Sequence, residues 1–208
     1  MKKVVSVVLI ASLLGAASVY AQNKCDAPAP AMDLDPLELR KQETVKWCWA
    51  ASTQMVMDSH GQTEAQCFIV DVTNRDDLDE LGVSTCCGDN GQADGCFTAG
   101  WPGTPLKSFF YQYELRKVVE DGDAPPTWKE IAQEICQGRP FIFAMRWAGG
   151  GKHTFIVKGY AVETDGEQVL HVYDHVGNIF ADVTYDQFLH GLQDGDQNYR
   201  DYLNVRPR

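Results

Sequence analysis

Two residues early in the chain, Gln42 and Cys48, have the types and spacing that chemistry on a carbonyl group requires. A cysteine attacks a carbonyl carbon as its thiolate, and a helix N-terminus or a neighbouring imidazolium lowers the pKa of the thiol. Gln42 stands six positions before Cys48 and would donate a hydrogen bond to an oxyanion, beside the backbone N–H of Cys48. Further along, His153 offers a base and Asp174 a carboxylate to orient it. Together these residues predict acyl transfer by a cysteine hydrolase.

The sequence after Cys48 predicts a helix that begins at this residue. The run from Trp49 to Met57 is mostly apolar and contains the helix formers Ala and Met, and Gly61 marks its end. A thiolate at the start of this helix would be stabilised by the helix dipole. The alternative is that Cys48 is a buried apolar residue or half of a disulfide. Because the chain has seven cysteines, one stays unpaired within it, and the context favours Cys48.

The run from Gln42 to Ala50 resembles the active-site sequence of papain-like cysteine peptidases. In that family an oxyanion-hole Gln stands six residues before the nucleophilic Cys, and Trp and a small residue follow the Cys. The family's catalytic His precedes a strand that ends in Gly-Tyr, as His153 does here, and the third member lies on the next strand, where this chain has Asp174. The resemblance covers roughly residues 40 to 185. It implies a catalytic triad of Cys48, His153 and Asp174, with Gln42 in the oxyanion hole.

Several positions depart from the plant and lysosomal members of the family. Cys48 and His153 are 105 residues apart, where those enzymes have roughly 130 to 150. Val45 stands where they have a disulfide cysteine, and Asp174 stands where they have Asn. The chain is more similar to a compact bacterial branch with a Trp-Cys-Trp-Ala-Ala motif and a Cys-His-Asp triad. Subsite preferences of the larger enzymes are therefore not carried over.

The periodicity along the chain predicts an α+β fold of the papain-like type. An N-terminal helical part is expected to pack on a C-terminal antiparallel β-sheet, with the active-site cleft between them. Strands are expected where β-rich runs lie between Gly or Asp clusters, at Phe141–Trp147, Thr154–Tyr160, Gln168–Tyr173 and Ile179–Val183. Residues 82–103 are expected to form a disulfide-rich loop, and residues 106–119 show no clear period.

Three further helices are predicted from capping boxes, in which a Ser or Thr side chain and a Glu or Gln three residues later satisfy free backbone N–H groups. The predicted helices are residues 64–74 with Thr63 and Gln66, residues 128–136 with Thr127 and Glu130, and a last helix near Leu189 with Thr184 and Gln187.

The loop before His153 is expected to border the cleft. Gly150 and Gly151 allow a sharp bend or a close approach to a ligand, and Trp147 is expected to form part of the cleft wall. The alternative for this loop is a flexible hairpin connection. His175 is a rival base because it adjoins Asp174, but alternation along a strand sends neighbours to opposite faces. The other histidines are expected to be structural.

The first residues predict export from the cytoplasm. Lys2 and Lys3 precede an apolar run that is too short to span a membrane, since spanning takes about 20 apolar residues. The sequence before Ala21 fits a signal-peptidase site. We therefore expect a signal peptide in residues 1–21, an extended segment in residues 22–41 and a single catalytic domain in residues 42–208, in a secreted or periplasmic protein without a membrane anchor.

In an oxidising compartment the six other cysteines are expected to form three disulfides. Six cysteines allow 15 connectivities, and the adjacent Cys86 and Cys87 are expected to bond to different partners. A zinc site at the crowded cysteines is the alternative, but no Cys-x-x-Cys pair or nearby His completes a ligand set. The six are Cys25, Cys67, Cys86, Cys87, Cys96 and Cys136.

The composition is strongly acidic. The whole chain has a formal net charge of −11, and removal of the leader leaves 16 basic against 29 acidic residues, a net charge of −13. Such a surface opposes nucleic acid and anionic membranes and biases encounters toward neutral or cationic substrates. We expect a monomer that acts on a peptide or protein and requires no metal or organic cofactor.

Three functions are compatible with these residues. A cysteine peptidase is the first. The second is a cell-wall peptide amidase or a transamidating acyltransferase with the same Cys-His-Asp chemistry. The third is a catalytically silent, disulfide-stapled binding protein, which the presence of Cys48, His153, Asp174 and Gln42 disfavours.

Overall fold

The structure is a computed structural model that describes residues 25–100, 102, 113–119, 123–177 and 179–207. The predicted signal peptide, residues 1–21, lies outside this part of the chain. The described helices are α1 (Cys48–Ser59), α2 (Gln66–Thr73), α3 (Arg75–Leu81), α4 (Trp128–Cys136) and α5 (Tyr185–His190), with a 3-10 turn at Gly88–Gln92. The strands are β1 (Ala31–Asp33), β2 (Tyr113–Val119), β3 (Phe141–Arg146), β4 (Lys152–Val162), β5 (Gln168–Asp174), β6 (Ile179–Thr184) and β7 (Gln197–Pro207).

The strands form one antiparallel sheet in the order β2-β7-β3-β4-β5-β6, and β1 pairs with β4. β3 and β1 share one edge of β4, because β3 pairs with residues 152–157 and β1 with residues 159–161. β5 pairs with the other edge of β4. The start of β4 and the end of β5 therefore lie at the same end of the sheet.

Helices cover both faces of the sheet. Successive side chains of a strand point to opposite faces, and along β3 Ile142 joins a core with Trp49 and Met55 of α1. Phe141 and Phe143 join a second core against α4 and α5. This arrangement confirms the predicted α+β fold, with the N-terminal helices on one face of the C-terminal sheet.

The capping boxes predicted for two helices are confirmed. Thr127 and Thr184 each accept a hydrogen bond from the N–H three residues later, and Glu130 and Gln187 complete the two capping boxes. The predicted capping box at Thr63 is wrong, because α2 begins later, after Ala65, without a side-chain cap.

The four predicted strands match β3, β4, β5 and β6 within two residues at each end. Three strands were not predicted. β1 lies within the segment expected to be extended and without periodicity, β2 lies within residues 106–119, and β7 follows the last predicted helix. Residues 106–112 of the aperiodic stretch lie outside the described chain.

Three disulfides are present, as expected: Cys25–Cys136, Cys67–Cys87 and Cys86–Cys96. The adjacent Cys86 and Cys87 bond to different partners, and this pairing occupies the cysteines of the alternative zinc site. Cys48 has a free thiol. Three disulfides in a chain of this size indicate an oxidising compartment. Within the described ranges, the helices are all too short or too polar to cross a membrane.

Candidate active site

Cys48 is the first residue of α1, as predicted. Trp47 precedes it as N-cap, its side chain makes no capping hydrogen bond to the helix, and no acidic residue occupies the first turn. The positive end of the helix dipole therefore acts on the Cys48 sulfur without a local carboxylate to offset it, and it favours the thiolate.

The start of α1 is held by the disulfide-rich loop. Trp47 Nε1 donates a hydrogen bond to the carbonyl oxygen of Cys96 at 2.8 Å, and Trp49 Nε1 donates to that of Thr98 at 3.3 Å. Both indole rings are only 1% exposed. The two tryptophans that flank Cys48 thus anchor it to the segment from Cys96 to Thr98, at the end of the Cys86–Cys96 loop.

His153 and Asp174 meet across neighbouring strands, at the start of β4 and the end of β5. His153 Nε2 lies 2.8 Å from Asp174 Oδ1, and the N–H of Val176 also donates to Asp174 Oδ1 at 2.9 Å. The other ring nitrogen, Nδ1, is left for Cys48, to which His153 is hydrogen-bonded. The structure therefore brings Cys48, His153 and Asp174 together in one hydrogen-bonded row.

The electrostatics of this row favour an ion pair. Burial opposes charge on Cys48, but the hydrogen bond and charge of His153, with hydrogen bonds from Thr154, lower the pKa of the thiol below its usual value. Burial likewise opposes charge on His153, yet the hydrogen bonds to Asp174 and Cys48 raise its pKa to about 9. Despite burial, the His153 and Val176 hydrogen bonds lower the pKa of Asp174. These shifts favour the thiolate on Cys48 and the imidazolium on His153.

Gln42 lies on the segment that leads into α1. Its side chain is 9% exposed, and Nε2 donates one hydrogen to the carbonyl oxygen of Thr44 at 2.8 Å, which leaves a second hydrogen on the same nitrogen. Gln66 holds this segment through the carbonyl of Lys41 and the N–H of Glu43. Gln66, predicted as part of a capping box, thus positions the Gln42 segment.

A cleft of about 720 Å³ opens beside Cys48 and His153. This volume suits a small ligand or a short length of peptide. The predicted wall residues Trp147, Gly150 and Gly151 all line it. Further residues that line the cleft were not predicted, and they include Lys46, Trp49, Ala99, Gly100, Arg146, Lys152 and Thr154.

A second polar network lies behind Cys48 and was not predicted. His175 Nδ1 lies 2.9 Å from the carbonyl oxygen of Arg40, so it carries the proton and donates it. Its Nε2 lies 2.7 Å from Ser52 Oγ, which lies 3.0 Å from Thr154 Oγ1. Thr154 in turn hydrogen-bonds Cys48. The rival base His175 therefore supports the site from behind, and no periodic signal in the sequence links it to Ser52 or Thr154.

His175 stays neutral in this network. It is fully buried, and burial, with the charge of His153, lowers its pKa to about 4 against the opposing effects of the Arg40 carbonyl and Asp174. In the described part of the chain, no group of three or more His, Cys, Asp or Glu side chains is arranged to hold a metal ion.

The helices and the antiparallel sheet form a fold of the papain-like type. Among solved structures, the fold is similar to that of a recombinant stem bromelain precursor, with a TM-score of 0.51, 12% identity and coverage of 86% of this chain and 72% of that chain. The chain belongs to the Peptidase_C39 like family, whose model matches residues 34–202.

Two other solved structures show weaker similarity. They are the bromelain protease from Ananas comosus in complex with the E64 inhibitor (TM-score 0.47, 11% identity, 86% of this chain and 100% of that chain) and the Amb a 11 cysteine protease, a major ragweed pollen allergen, in its proform (0.49, 10%, 85% and 65%). No curated protein matches the sequence. The family and the fold support a function of the peptidase type.

Proposed function

We propose that the protein is a cysteine peptidase that hydrolyses peptide bonds through an acyl-enzyme on Cys48. The observation that carries this proposal is the hydrogen-bonded row in which His153 lies between the Cys48 thiol and Asp174, with Nε2 2.8 Å from the carboxylate. This arrangement supplies a nucleophile, a base and an orienting group.

The reaction begins with the thiolate–imidazolium pair. The Cys48 sulfur attacks the peptide carbonyl carbon, and the carbonyl electrons move to oxygen, where the Cys48 N–H and the second hydrogen of Gln42 Nε2 stabilise the oxyanion. His153 then donates its proton to the amine nitrogen as the C–N bond breaks. Asp174 holds the imidazole with Nδ1 toward the sulfur throughout.

The second half of the reaction releases the acyl group. His153, now neutral, takes a proton from water, and the resulting hydroxide attacks the thioester carbonyl. The C–S bond breaks, the acid leaves, and the thiolate–imidazolium pair is restored. His153 serves as acid in the first half and as base in the second.

We also propose that the protein acts outside the cytoplasm after cleavage of residues 1–21. The charged start, the apolar run and the Ala21 site support this step, and the three disulfides agree with it. N-terminal sequencing of the exported protein should begin at Gln22, and a product that retains residues 1–21 would contradict the proposed cleavage.

An epoxide thiol inhibitor tests the chemistry. Labelling of the oxidatively folded protein, followed by mass spectrometry, should modify Cys48 alone. Hydrolysis of casein should be lost in Cys48→Ala and should fall at least about a hundredfold in His153→Ala, because general acid–base catalysis contributes about 10²–10⁴.

His190→Ala is the matched control, because His190 is an exposed histidine that pairs with Asp186 on α5. It should keep full activity. Failure of the epoxide to label folded protein, or discovery of Cys48 in a disulfide, would overturn the peptidase proposal. Labelling of Cys48 without hydrolysis of any protein, but with release of amines from muropeptides, would replace it by the amidase.

A further inference from the structure

The described wall of the cleft has a charge opposite to that of the whole protein. The chain has 29 acidic and 18 basic residues. Nevertheless, the described residues that line the cleft include the three cations Lys46, Arg146 and Lys152 and no carboxylate. From the composition alone, any surface patch would be expected to carry negative charge.

Two of the cations form a fixed pair beside His153. Arg146 and Lys152 are directly opposite each other in the β3–β4 register. The Arg146 guanidinium carbon lies 4.2 Å and the Lys152 ammonium 4.0 Å from the centroid of the Tyr199 ring on β7. Such distances allow cation–π attraction, which holds both charges near the ring. Lys152, Arg146 and His153 all line the cleft.

The third cation lies on the opposite wall. Lys46 is two residues before Cys48, its side chain is exposed, and its ammonium lies 5.9 Å from the centroid of the Phe97 ring. A substrate in the cleft thus passes between positive charges on the helical wall and on the sheet wall.

We propose that the protein selects peptides with a carboxylate close to the scissile bond, an inference that rests on the proposed peptidase function. A cleft lined by one sign of charge concentrates ligands of the opposite sign, and low-dielectric walls strengthen the effect. The carboxylate is either an Asp or Glu side chain or the C-terminal α-carboxylate of a short peptide. The net negative charge of the protein disfavours such substrates at long range, and Lys46, Arg146 and Lys152 attract them within the cleft.

A pair of small thiol reagents measures the local charge without a known substrate. Iodoacetate and iodoacetamide both alkylate a thiolate, but only iodoacetate is anionic. The ratio of their rates at Cys48 cancels the fraction of thiolate and reports the potential beside the sulfur. Substitution of Arg146→Met or Lys152→Met keeps an aliphatic stem and removes the charge.

Each of these two substitutions should lower the iodoacetate-to-iodoacetamide ratio about threefold, and the double variant about tenfold, at low ionic strength. Lys129→Met removes the same charge from an exposed position on α4, outside the cleft, and should leave the ratio unchanged. Salt at about 0.5 M should reduce the difference between wild type and double variant. The iodoacetamide rate checks that each variant retains the folded site.

Peptide cleavage then identifies the source of the carboxylate. In a proteome-derived peptide library, Asp and Glu should exceed Asn and Gln severalfold at one position near the cleaved bonds, and the excess should vanish in the Arg146→Met/Lys152→Met variant. If the α-carboxylate is read instead, cleavage should fall when the same peptides are amidated at their C-termini.

The outcomes separate this inference from the proposed function. Absence of Cys48 alkylation by either reagent would defeat both. Cleavage with no preference for either kind of carboxylate, together with a rate ratio equal in wild type and cleft variants, would overturn the inference and leave the peptidase intact.

Discussion

At the scale of single residues, the site depends on two histidines in opposite charge states. His153 is hydrogen-bonded between Cys48 and Asp174, and its pKa is raised to about 9. His175 is fully buried between a backbone carbonyl and Ser52, and its pKa is lowered to about 4. His153 holds a proton between Cys48 and Asp174, and His175 stays neutral in the network behind Cys48.

Replacement of Asp174 by Asn should shift the pH dependence of hydrolysis. In wild type the rate should fall as pH rises through about 9, because His153 loses the proton that the leaving amine needs. Asp174→Asn weakens the hydrogen bond and removes the charge that raise this pKa, so the alkaline limb of kcat/KM should move to lower pH. Asp182→Asn, at an exposed position of β6, is the control. If the alkaline limb of kcat/KM stays at the same pH in Asp174→Asn, Asp174 does not act on His153 as proposed.

His175 should make the protein sensitive to acid. Its pKa is about 4 in the folded state and 6.5 in the unfolded state. The unfolded state therefore binds the proton first, and stability is lost as pH falls from about 6.5 to about 4, by up to about 3 kcal/mol. His175→Gln keeps a donor and an acceptor but does not titrate, so the free energy of unfolding should decline less over this range. Urea denaturation at several pH values measures both slopes, and equal slopes would refute the prediction.

At the scale of elements, the Gly-Tyr end of β4 has a structural explanation. A Cβ on Gly159 would collide with the carboxylate of Asp33 and would lie 2.8 Å from the carbonyl oxygen of Met32. β1 can pair with β4 only because this position has no side chain. The glycine that follows the catalytic histidine in the family motif therefore serves strand pairing in this chain.

Gly159→Ala should detach or displace β1. We expect a loss of about 1–3 kcal/mol in the free energy of unfolding, the usual cost of inserting a methyl group into a filled site. Amide exchange should accelerate at Val162, whose N–H donates to the carbonyl of Pro30 beside β1. Gly149→Ala is the control, because a Cβ there meets no atom within 4 Å. Equal stability of the two variants would show that β1 adapts.

Several elements could be predicted from sequence because their signals are local. The helix start at Cys48 and the boxes at Thr127 and Thr184 depend on residues within one turn. β1 could not be predicted, since three residues carry no period and their pairing depends on Gly159, far along the chain. β7 alternates poorly, with Asp201 buried among polar neighbours. The positive charge of the cleft was also not predicted, because the net charge of a chain does not show how charges are distributed over its surface.

At the scale of the whole molecule, two of the disulfides have different roles. One mainly stabilises the fold, and the other mainly positions Cys48. Cys25–Cys136, with a sequence separation of 111, joins Cys25 to α4, which packs on the face of the sheet opposite α1. Cys86–Cys96 closes only 10 residues but fixes the loop that accepts the Trp47 hydrogen bond. The long loop constrains the unfolded chain more, and the short loop positions Cys48 through Trp47.

Removal of each disulfide by paired Cys→Ala substitutions should therefore have different effects on stability and on the rate of Cys48 labelling. In the chain-entropy account, removal of Cys25–Cys136 costs about 5 kcal/mol and removal of Cys86–Cys96 about 3 kcal/mol. We expect the first variant to lose more stability in denaturant but to keep its rate of Cys48 labelling at 25 °C. The second should label more slowly while still folded. A first variant with slow labelling, or a second with the wild-type rate, would contradict this division.

The position of β7 has a consequence for biosynthesis. This strand, residues 197–207, lies inside the sheet between β2 and β3, although it comes last among the described strands. While these residues are still within the ribosome exit tunnel, β2 has no partner and β3 lacks one neighbour. The sheet is therefore completed only after residues 197–207 have emerged, and this late step suits the export proposed above.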